Sequence, residues 1–243
     1  MNILVTAGNT LAMVDRVRCL TNIFSGRTGA SIAREAVARQ HQVMILTSHP
    51  ETILDGPGSG ACAVQPYKTF EDLQGLLTAV VPTRRFDAII HCAAVSDYLS
   101  VGVYAPESGS GFDPTTGEWN GAPPRMVDRS AGKVRSDAPE LWIRLQRAPK
   151  LIDRMRTDWG FNGLLVKFKL EVGLTDEQLL EVAERSRLQS QAELMVANTL
   201  EGATEYALMG EGASGYRRVT RNDLPGSLLD QLEVLHRERL AGG

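Results

Sequence analysis

The sequence predicts an α/β fold of Rossmann-like, three-layer type, with a central, mostly parallel sheet, a long flap and a C-terminal β-hairpin. Three observations carry this. Short apolar runs alternate with stretches of helical spacing through the first 92 residues, the signature of βαβ units. The run Phe86–Cys92 is apolar almost throughout, as a central parallel strand covered on both faces must be. A glycine-lined stretch, Thr21–Gly29, leads from the first strand region into a helix.

The first strand is expected over Asn2–Ala7 and the first helix from about Thr28 to Arg39, where Ile32, Ala33, Val37 and Ala38 recur at helical spacing. Val43–Leu46 is a short buried strand, so strand, helix and strand form a right-handed crossover. Asp55–Gly60 (DGPGSG) is a loop. Phe70–Val80 places Phe70, Leu73, Leu76, Leu77 and Val80 on one helical face. Between Leu99 and Asp137 the chain is rich in Gly, Pro and polar residues and reads as a flexible flap without regular structure. Regular structure returns with a strand over Leu141–Gln146 and a helix, Lys150–Trp159, behind Pro149. Gly163–Leu170 is a strand, Thr175 caps a helix reaching about Gln189, and Glu193–Ala197 is a buried strand. Glu205–Met209 and Tyr216–Thr220 flank a Gly-rich turn as a hairpin, and Asp223 is placed to cap the last helix. No linker divides the chain, so a single domain over residues 1–243 is expected, with the flap at 99–137.

Composition narrows the function. A net charge of -3 gives no reason to expect a nucleic acid or a membrane surface as partner. No apolar run approaches the roughly 20 residues of a membrane span, and the N-terminus lacks the basic region of a signal peptide. A cytoplasmic location is the expectation. The 3 cysteines and 4 histidines are scattered, which fits neither a disulfide framework nor a protein-built metal site. A metal carried in by a nucleotide remains compatible with this.

In open α/β sheets the site lies off the carboxyl ends of the strands. That rule gathers Gly8, the Ala93–Tyr98 segment with Ala93, Ala94 and Asp97, then Phe168–Glu171, and Asn198, together with Asn22, Ser25, Gly26 and Gly29. A helix start lined by glycines offers free N–H groups and a positive dipole end to an anion, usually phosphate. Each residue also has a plainer explanation. The glycines serve a tight turn and strand–helix packing, Asn22 and Asp97 satisfy loop backbone, Phe168 is core, and Lys133 is a solvated charge. The set lacks a Ser–His–Asp arrangement, a paired Cys–His, and two carboxylates with divided acid and base roles. It suits positioning and charge stabilisation around a polyphosphate.

Five motifs resemble one family, the phosphopantothenate–cysteine ligases of coenzyme A biosynthesis, in that family's order and over nearly the whole chain. They are Thr6–Gly29 (TAGNT…VDRVRCLTNIFSGRTG), Ala93–Tyr98 (AAVSDY), the flap lysine in GKVRS followed by Ala148–Ile152 (APKLI), Phe168–Glu171 (FKLE) and Val196–Glu201 (VANTLE). The resemblance implies an ATP- or CTP-dependent ligase, with Mg²⁺ carried by the nucleotide, that joins 4′-phosphopantothenate to L-cysteine through an acyl nucleotide. It implies that Gly8, Ser25, Gly26, Gly29, Phe168 and Asn198 meet nucleotide, and that Ala93, Ala94 and Asp97 meet phosphopantothenate. Asn22 is implied at the acyl nucleotide, and Lys133 as the flap lysine closing over the reaction. Arg18 is similar to an arginine that reaches the substrate phosphate from a neighbouring subunit, which implies a homodimer. The chain departs from the family pattern at Phe24, often Ser, at Asn9, usually Gly, and at Leu11, commonly Arg or Lys. These departures leave open ATP against CTP, and ligase turnover against nucleotide binding alone. A nicotinamide-dependent reductase would require G-x-G-x-x-G directly after the first strand and an acidic residue ending the second. Here the turn reads AGNTLAMVDRV and the second strand ends in Thr47-Ser48.

Overall fold

A computed structural model describes residues 1–54, 62–107, 111–212 and 215–242. The chain divides into two compact units, one of Met1–Thr10, Ile23–Val95 and Lys150–Gly243, the other of Leu11–Asn22 and Ser96–Pro149. In chain order the elements begin with β1 (Asn2–Ala7), β2 (Leu11–Met13), β3 (Cys19–Thr21), α1 (Arg27–Ala38), β4 (Gln42–Thr47), α2 (Glu51–Leu54), β5 (Cys62–Pro66), α3 (Phe70–Val80) and β6 (Ala88–His91). Then come β7 (Tyr98–Pro106), β8 (Phe112–Asp113), β9 (Glu118–Trp119), β10 (Met126–Asp128) and β11 (Trp142–Arg147). The chain closes with α4 (Leu151–Thr157), β12 (Leu164–Glu171), α5 (Asp176–Gln189), β13 (Leu194–Thr199), β14 (Tyr206–Gly210), β15 (Arg217–Thr220) and α6 (Leu224–Ala241).

The first unit is built on an 8-stranded sheet in the order β15-β14-β13-β12-β6-β1-β4-β5. It is parallel from β5 to β13 and turns antiparallel at β14 and β15. Central position explains the composition of β1. Ile3, Leu4, Val5, Thr6 and Ala7 are all fully buried, because both faces of the strand are covered. On one face Ile3, Val5, Ile45, Ile90 and Val166 share a core with Ile32, Ala33 and Ala36 of α1 and with Leu228, Leu229 and Leu232 of α6. On the other, Met195, Ala197 and Leu208 pack under Leu179 and Ala183 of α5. Three layers result, as expected. Both α3 and α5 start in reciprocal capping boxes, Thr69 with Asp72 and Thr175 with Gln178.

Asp223 does not cap α6. Its backbone is already helical at φ -84° and ψ -14°, and Pro225 in the first turn has no N–H to receive a cap. The Asp223 carboxylate accepts instead from the Thr220 hydroxyl at 2.6 Å. The edge strand β5 follows residues with no strand signal, and the expected loop Asp55–Gly60 lies outside the described residues. The expected Gly-rich turn of the C-terminal hairpin is described except for residues 213–214.

In the second unit the stretch from Leu99 to Asp137 has more regular structure than its composition predicts. Strands β10, β7 and β11 form an antiparallel three-stranded sheet, and β2–β3 and β8–β9 are two-stranded ribbons. Gly102 and Pro106 interrupt the alternation that would have revealed β7, while Val103 and Ala105 between them are buried. Phe112, Trp119 and Trp142 meet with ring centroids 5.0–5.3 Å apart, so three aromatics scattered in sequence make the contact that holds β8 and β9 beside β11.

Candidate functional site

The strand order reverses direction at β1. From there the chain crosses by α1 to β4 on one side and returns through α3 to β6 on the other. Such a switch point leaves a crevice at the carboxyl ends of the strands. Here it is a cavity of about 260 Å³, lined by Gly8, Phe24, Ser25, Gly26, Arg27 and Thr28 on one side, by Cys92, Ala93 and Ala94, and by Phe168, Lys169, Leu170, Asn198, Ala203 and Arg221. Seven of the sequence-predicted residues thus come together in the first unit: Gly8, Ser25, Gly26, Ala93, Ala94, Phe168 and Asn198.

Gly26 is the N-cap of α1 and sits in the left-handed region at φ +76°, where the chain turns sharply into the helix. A Cβ there would stand 2.6 Å from the backbone nitrogen of Gly8, so the two glycines let two backbone loops touch. The turn brings the free N–H groups and the positive dipole end of α1 to the crevice. Gly29 acts behind this surface. It is buried, and a Cβ would stand 2.6 Å from that of Ala7, so its role is the close seating of α1 on β1.

The opposite lip is set by hydrogen bonds from β1. Ala94 N–H donates to Gly8 O at 2.8 Å, and Ala93 N–H donates to the Thr6 hydroxyl at 3.2 Å. That hydroxyl lies 2.9 Å from Nδ1 of His91. Burial lowers the His91 pKa to about 4, so the ring is neutral at pH 7. Asn9, where the family pattern has glycine, is tied to the end of β4. Its N–H donates to Ser48 Oγ at 2.9 Å and its Oδ1 accepts from Ser48 Oγ at 2.9 Å.

Burial pushes the Cys92 thiol up to about 12, so it is no thiolate at neutral pH. No Asp or Glu stands among the lining residues, and no group of three or more His, Cys, Asp or Glu among the described residues is arranged to hold a metal ion. Backbone N–H groups, Ser25, Asn198 and the cations Arg27 and Arg221 make the crevice suited to an anion, with Phe24, Phe168, Leu170 and Ala203 as its apolar wall, while Lys169 is paired with Glu171 at 2.8 Å.

The other predicted residues, Arg18, Asn22, Asp97 and Lys133, lie in the second unit. Arg18 Nε donates to Asp15 Oδ2 at 2.9 Å, and its Nη2 to the same oxygen at 2.5 Å and to Val134 O at 2.7 Å. Val134 N–H returns a bond to Asp15 Oδ2 at 3.0 Å, and Arg16 N–H donates to Gly132 O at 3.0 Å. The Arg18 guanidinium first, then the backbone N–H groups of Val17, Val134 and Arg18, hold the Asp15 carboxyl well below the usual carboxylate range. Lys133 is exposed between two anchored residues, so its backbone is fixed while its side chain is solvated. Asn22 is half-buried just before Ile23, and Asp97 is exposed, with its carbonyl accepting from Ala148 N–H at 2.8 Å.

Sequence reasoning reached Lys169 only as part of the Phe168–Glu171 segment and missed Arg221. Lys169 had a signal, since it stands inside the FKLE motif. Arg221 had none, because it follows an antiparallel strand to which the strand-end rule does not apply.

Residues 1–105 match the DNA/pantothenate metabolism flavoprotein C-terminal domain. Over those residues the chain is similar to that family. The curated relatives bear the name coenzyme A biosynthesis bifunctional protein CoaBC. That of Thermococcus kodakarensis is 28% identical over 238 residues, covering 96% of this chain and 51% of the relative. That of Mycobacterium tuberculosis is 31% identical over 137 residues, covering 56% and 31%. The chain therefore spans about half, or less, of the length of the curated relatives it matches. Among solved structures, the DNA/pantothenate metabolism flavoprotein of Streptococcus pneumoniae has the same fold, with a TM-score of 0.75 at 23% identity over 97% of this chain and 100% of that one. The C-terminal domain of a CoaBC protein gives a TM-score of 0.67 at 21% identity, covering 98% and 96%. The Rossmann-like fold and the family expected from the five motifs are both borne out. No helix among the described residues is long and apolar enough to cross a membrane.

Proposed function

We propose that the chain is a ligase that joins 4′-phosphopantothenate to L-cysteine at the expense of ATP or CTP, in coenzyme A biosynthesis. A carboxylate oxygen of phosphopantothenate attacks the α-phosphorus, forming an acyl nucleotide and releasing pyrophosphate. The cysteine amine then attacks the acyl carbon, and the nucleoside monophosphate leaves. The observation that carries this reading is the crevice at the switch point, where residues from four of the five motifs line one surface that carries Arg27 and Arg221 and has no Asp or Glu among its lining residues. Such a surface stabilises charge on phosphate and leaves proton transfer to the reactants. With no carboxylate in the lining, Mg²⁺ enters with the nucleotide, held by its phosphates.

On this reading Gly8, Ser25, Gly26 and Asn198 contact nucleotide beside the Phe168 ring, with Gly29 seating the helix that does so. Ala93, Ala94 and Asp97 contact phosphopantothenate. Asn22 serves the acyl-nucleotide stage and Lys133 the stage after it. Residues 1–243 act as one ligase domain, with 99–137 as its mobile flap. A homodimer completes the site through Arg18. The exposed side chains Val101, Ile143 and Leu145 on β7 and β11 support a partner surface on the second unit.

A coupled pyrophosphate-release assay with phosphopantothenate, cysteine and each nucleotide tests the reading, with mass detection of the ligated product. Release that needs both phosphopantothenate and nucleotide supports it. Nucleotide binding without release would favour the alternative of a binding homologue, for which Phe24 in the crevice lining is the structural argument.

A further inference from the structure

Arg221 stands out among the cations of the first unit. Arg39, Arg156 and Arg187, also shielded from solvent there, are matched by carboxylates, Arg39 by Glu35 and Asp230, Arg156 by Glu193 and Arg187 by Glu184, while the Arg34 guanidinium donates to Thr52 O at 2.7 Å and Ser31 Oγ at 3.1 Å. Among the described residues no carboxylate pairs with Arg221. Its Nη2 donates to the Thr28 hydroxyl, and its backbone N–H to Glu205 O at 2.9 Å. The side chain is half-buried in the crevice wall, and this loss of water disfavours its charge.

A half-buried guanidinium without a counter-charge is costly unless something else supplies one. The groups around it do not. Thr28 is the second residue of α1, so Arg221 is held against the positive end of a helix dipole. Cys92 close by is a neutral thiol. Two sources of positive potential from distant parts of the chain therefore converge on one wall, and Thr28 fixes the direction of the fork. This arrangement repels cations and stores attraction for an anion of high charge.

We propose that Arg221 binds the polyphosphate of the nucleotide, with Thr28 orienting it at the start of α1. The proposal rests on the nucleotide reading above and deepens it. It also gives the antiparallel extension of the sheet a task, since β14 and β15 carry Arg221 to a crevice otherwise built from parallel strand ends.

The test is calorimetric titration of ATP, CTP and inorganic tripolyphosphate, each with Mg²⁺, into the full chain. Arg221→Gln should weaken all three by about 10- to 100-fold, the range of a charged hydrogen bond. Arg221→Lys should recover part of the loss, because charge is kept while the fork is lost. Affinity for phosphopantothenate should stay within about twofold of the parent in both variants, which separates a phosphate contact from general damage. Equal affinity of Arg221→Gln and the parent for nucleotide and tripolyphosphate overturns the assignment of Arg221 and leaves the nucleotide reading standing. So does a parallel loss of phosphopantothenate affinity that Arg221→Lys fails to restore. A parent protein that binds none of the three probes overturns the nucleotide reading, and this inference with it.

Discussion

The contact between Gly26 and Gly8 makes Gly26→Ala the sharpest probe of the crevice. Two costs add. Alanine at φ +76° is forced into the left-handed region, at about 1–2 kcal/mol. Its Cβ also stands 2.6 Å from Gly8 N and 2.9 Å from Gly8 Cα, both backbone atoms that no rotamer change can move. Restoring ordinary contact needs a retreat of roughly 0.8 Å, and overpacking of this kind costs about 1–3 kcal/mol. The sum, about 2–5 kcal/mol, lowers the melting temperature by roughly 5–15 °C in a chain of this size. The same displacement moves the helix start away from where the nucleotide is proposed to bind, and misplacement on that scale costs up to about 10²-fold in rate. Gly29→Ala offers a matched control. Its clash is with a side chain, the Ala7 methyl, and its backbone is helical. Ala7→Gly should therefore relieve Gly29→Ala and leave Gly26→Ala unrelieved. Thermal denaturation and steady-state pyrophosphate release measure both effects. A Gly26→Ala protein with unchanged melting and a nucleotide KM within twofold of the parent would refute the reasoning.

Four further outcomes are expected. On the proposed reading Asn22→Asp sets an anion against a carboxylate and a triphosphate, so pyrophosphate release should fall by about 10²–10³. Lys133→Gln should keep nucleotide binding and some release while forming little product with cysteine, and rapid-quench product analysis separates the two. His91 has a folded pKa of about 4, below the 6.5 of the free ring. The unfolded state then binds the extra proton first, so its contribution to stability is intact above pH 6.5 and is lost as pH falls to 4, by at most about 3 kcal/mol. His91→Gln should flatten that acid limb in denaturant titrations, and an unchanged limb between pH 6.5 and 4 would exclude this origin. Hydrogen exchange should be fast over 114–117 and 120–125, slow at the anchored Val134, and slower throughout once nucleotide and phosphopantothenate are added. Uniform protection of the free protein there would contradict a mobile flap.

The parts of this fold that were legible in the sequence are those whose cause is local. Strands β1, β4 and β6 are buried on both faces, so apolar residues fill their middles (Ile3–Val5, Val43–Leu46 and Ala88–Ile90), and α5 announces its start by Thr175 at the cap. Apart from β11, expected over Leu141–Gln146 and found at Trp142–Arg147, the second unit was illegible for the opposite reason. Its strands are two to nine residues long, carry Gly102 and Pro106, and are stabilised by partners distant in sequence, such as Phe112 and Trp119 against Trp142. The same division runs through the site. Gly8 and Gly26 could be read because a helix start after a strand needs them. Arg221 could not, because only the antiparallel return of β14 and β15 brings it there.

Asn9 shows how a departure from a motif is decided by geometry. Glycine is required where φ is positive or where backbone crowds the Cα. Gly8 meets both conditions, at φ +91° and with a Cβ that would stand 3.1 Å from the backbone nitrogen of Ser48, as well as against its Oγ. Asn9 is not among the positive-φ residues, so a side chain is admitted there. That side chain bonds Ser48, the very residue that closes over Gly8, and His49 Nε2 lies 3.2 Å from the same Oδ1. The amide thus ties the loop after β1 to the end of β4, on the flank opposite the one Ala94 holds. What reads in the motif as a lost glycine is, in the folded chain, a second tether on the turn that carries Gly8.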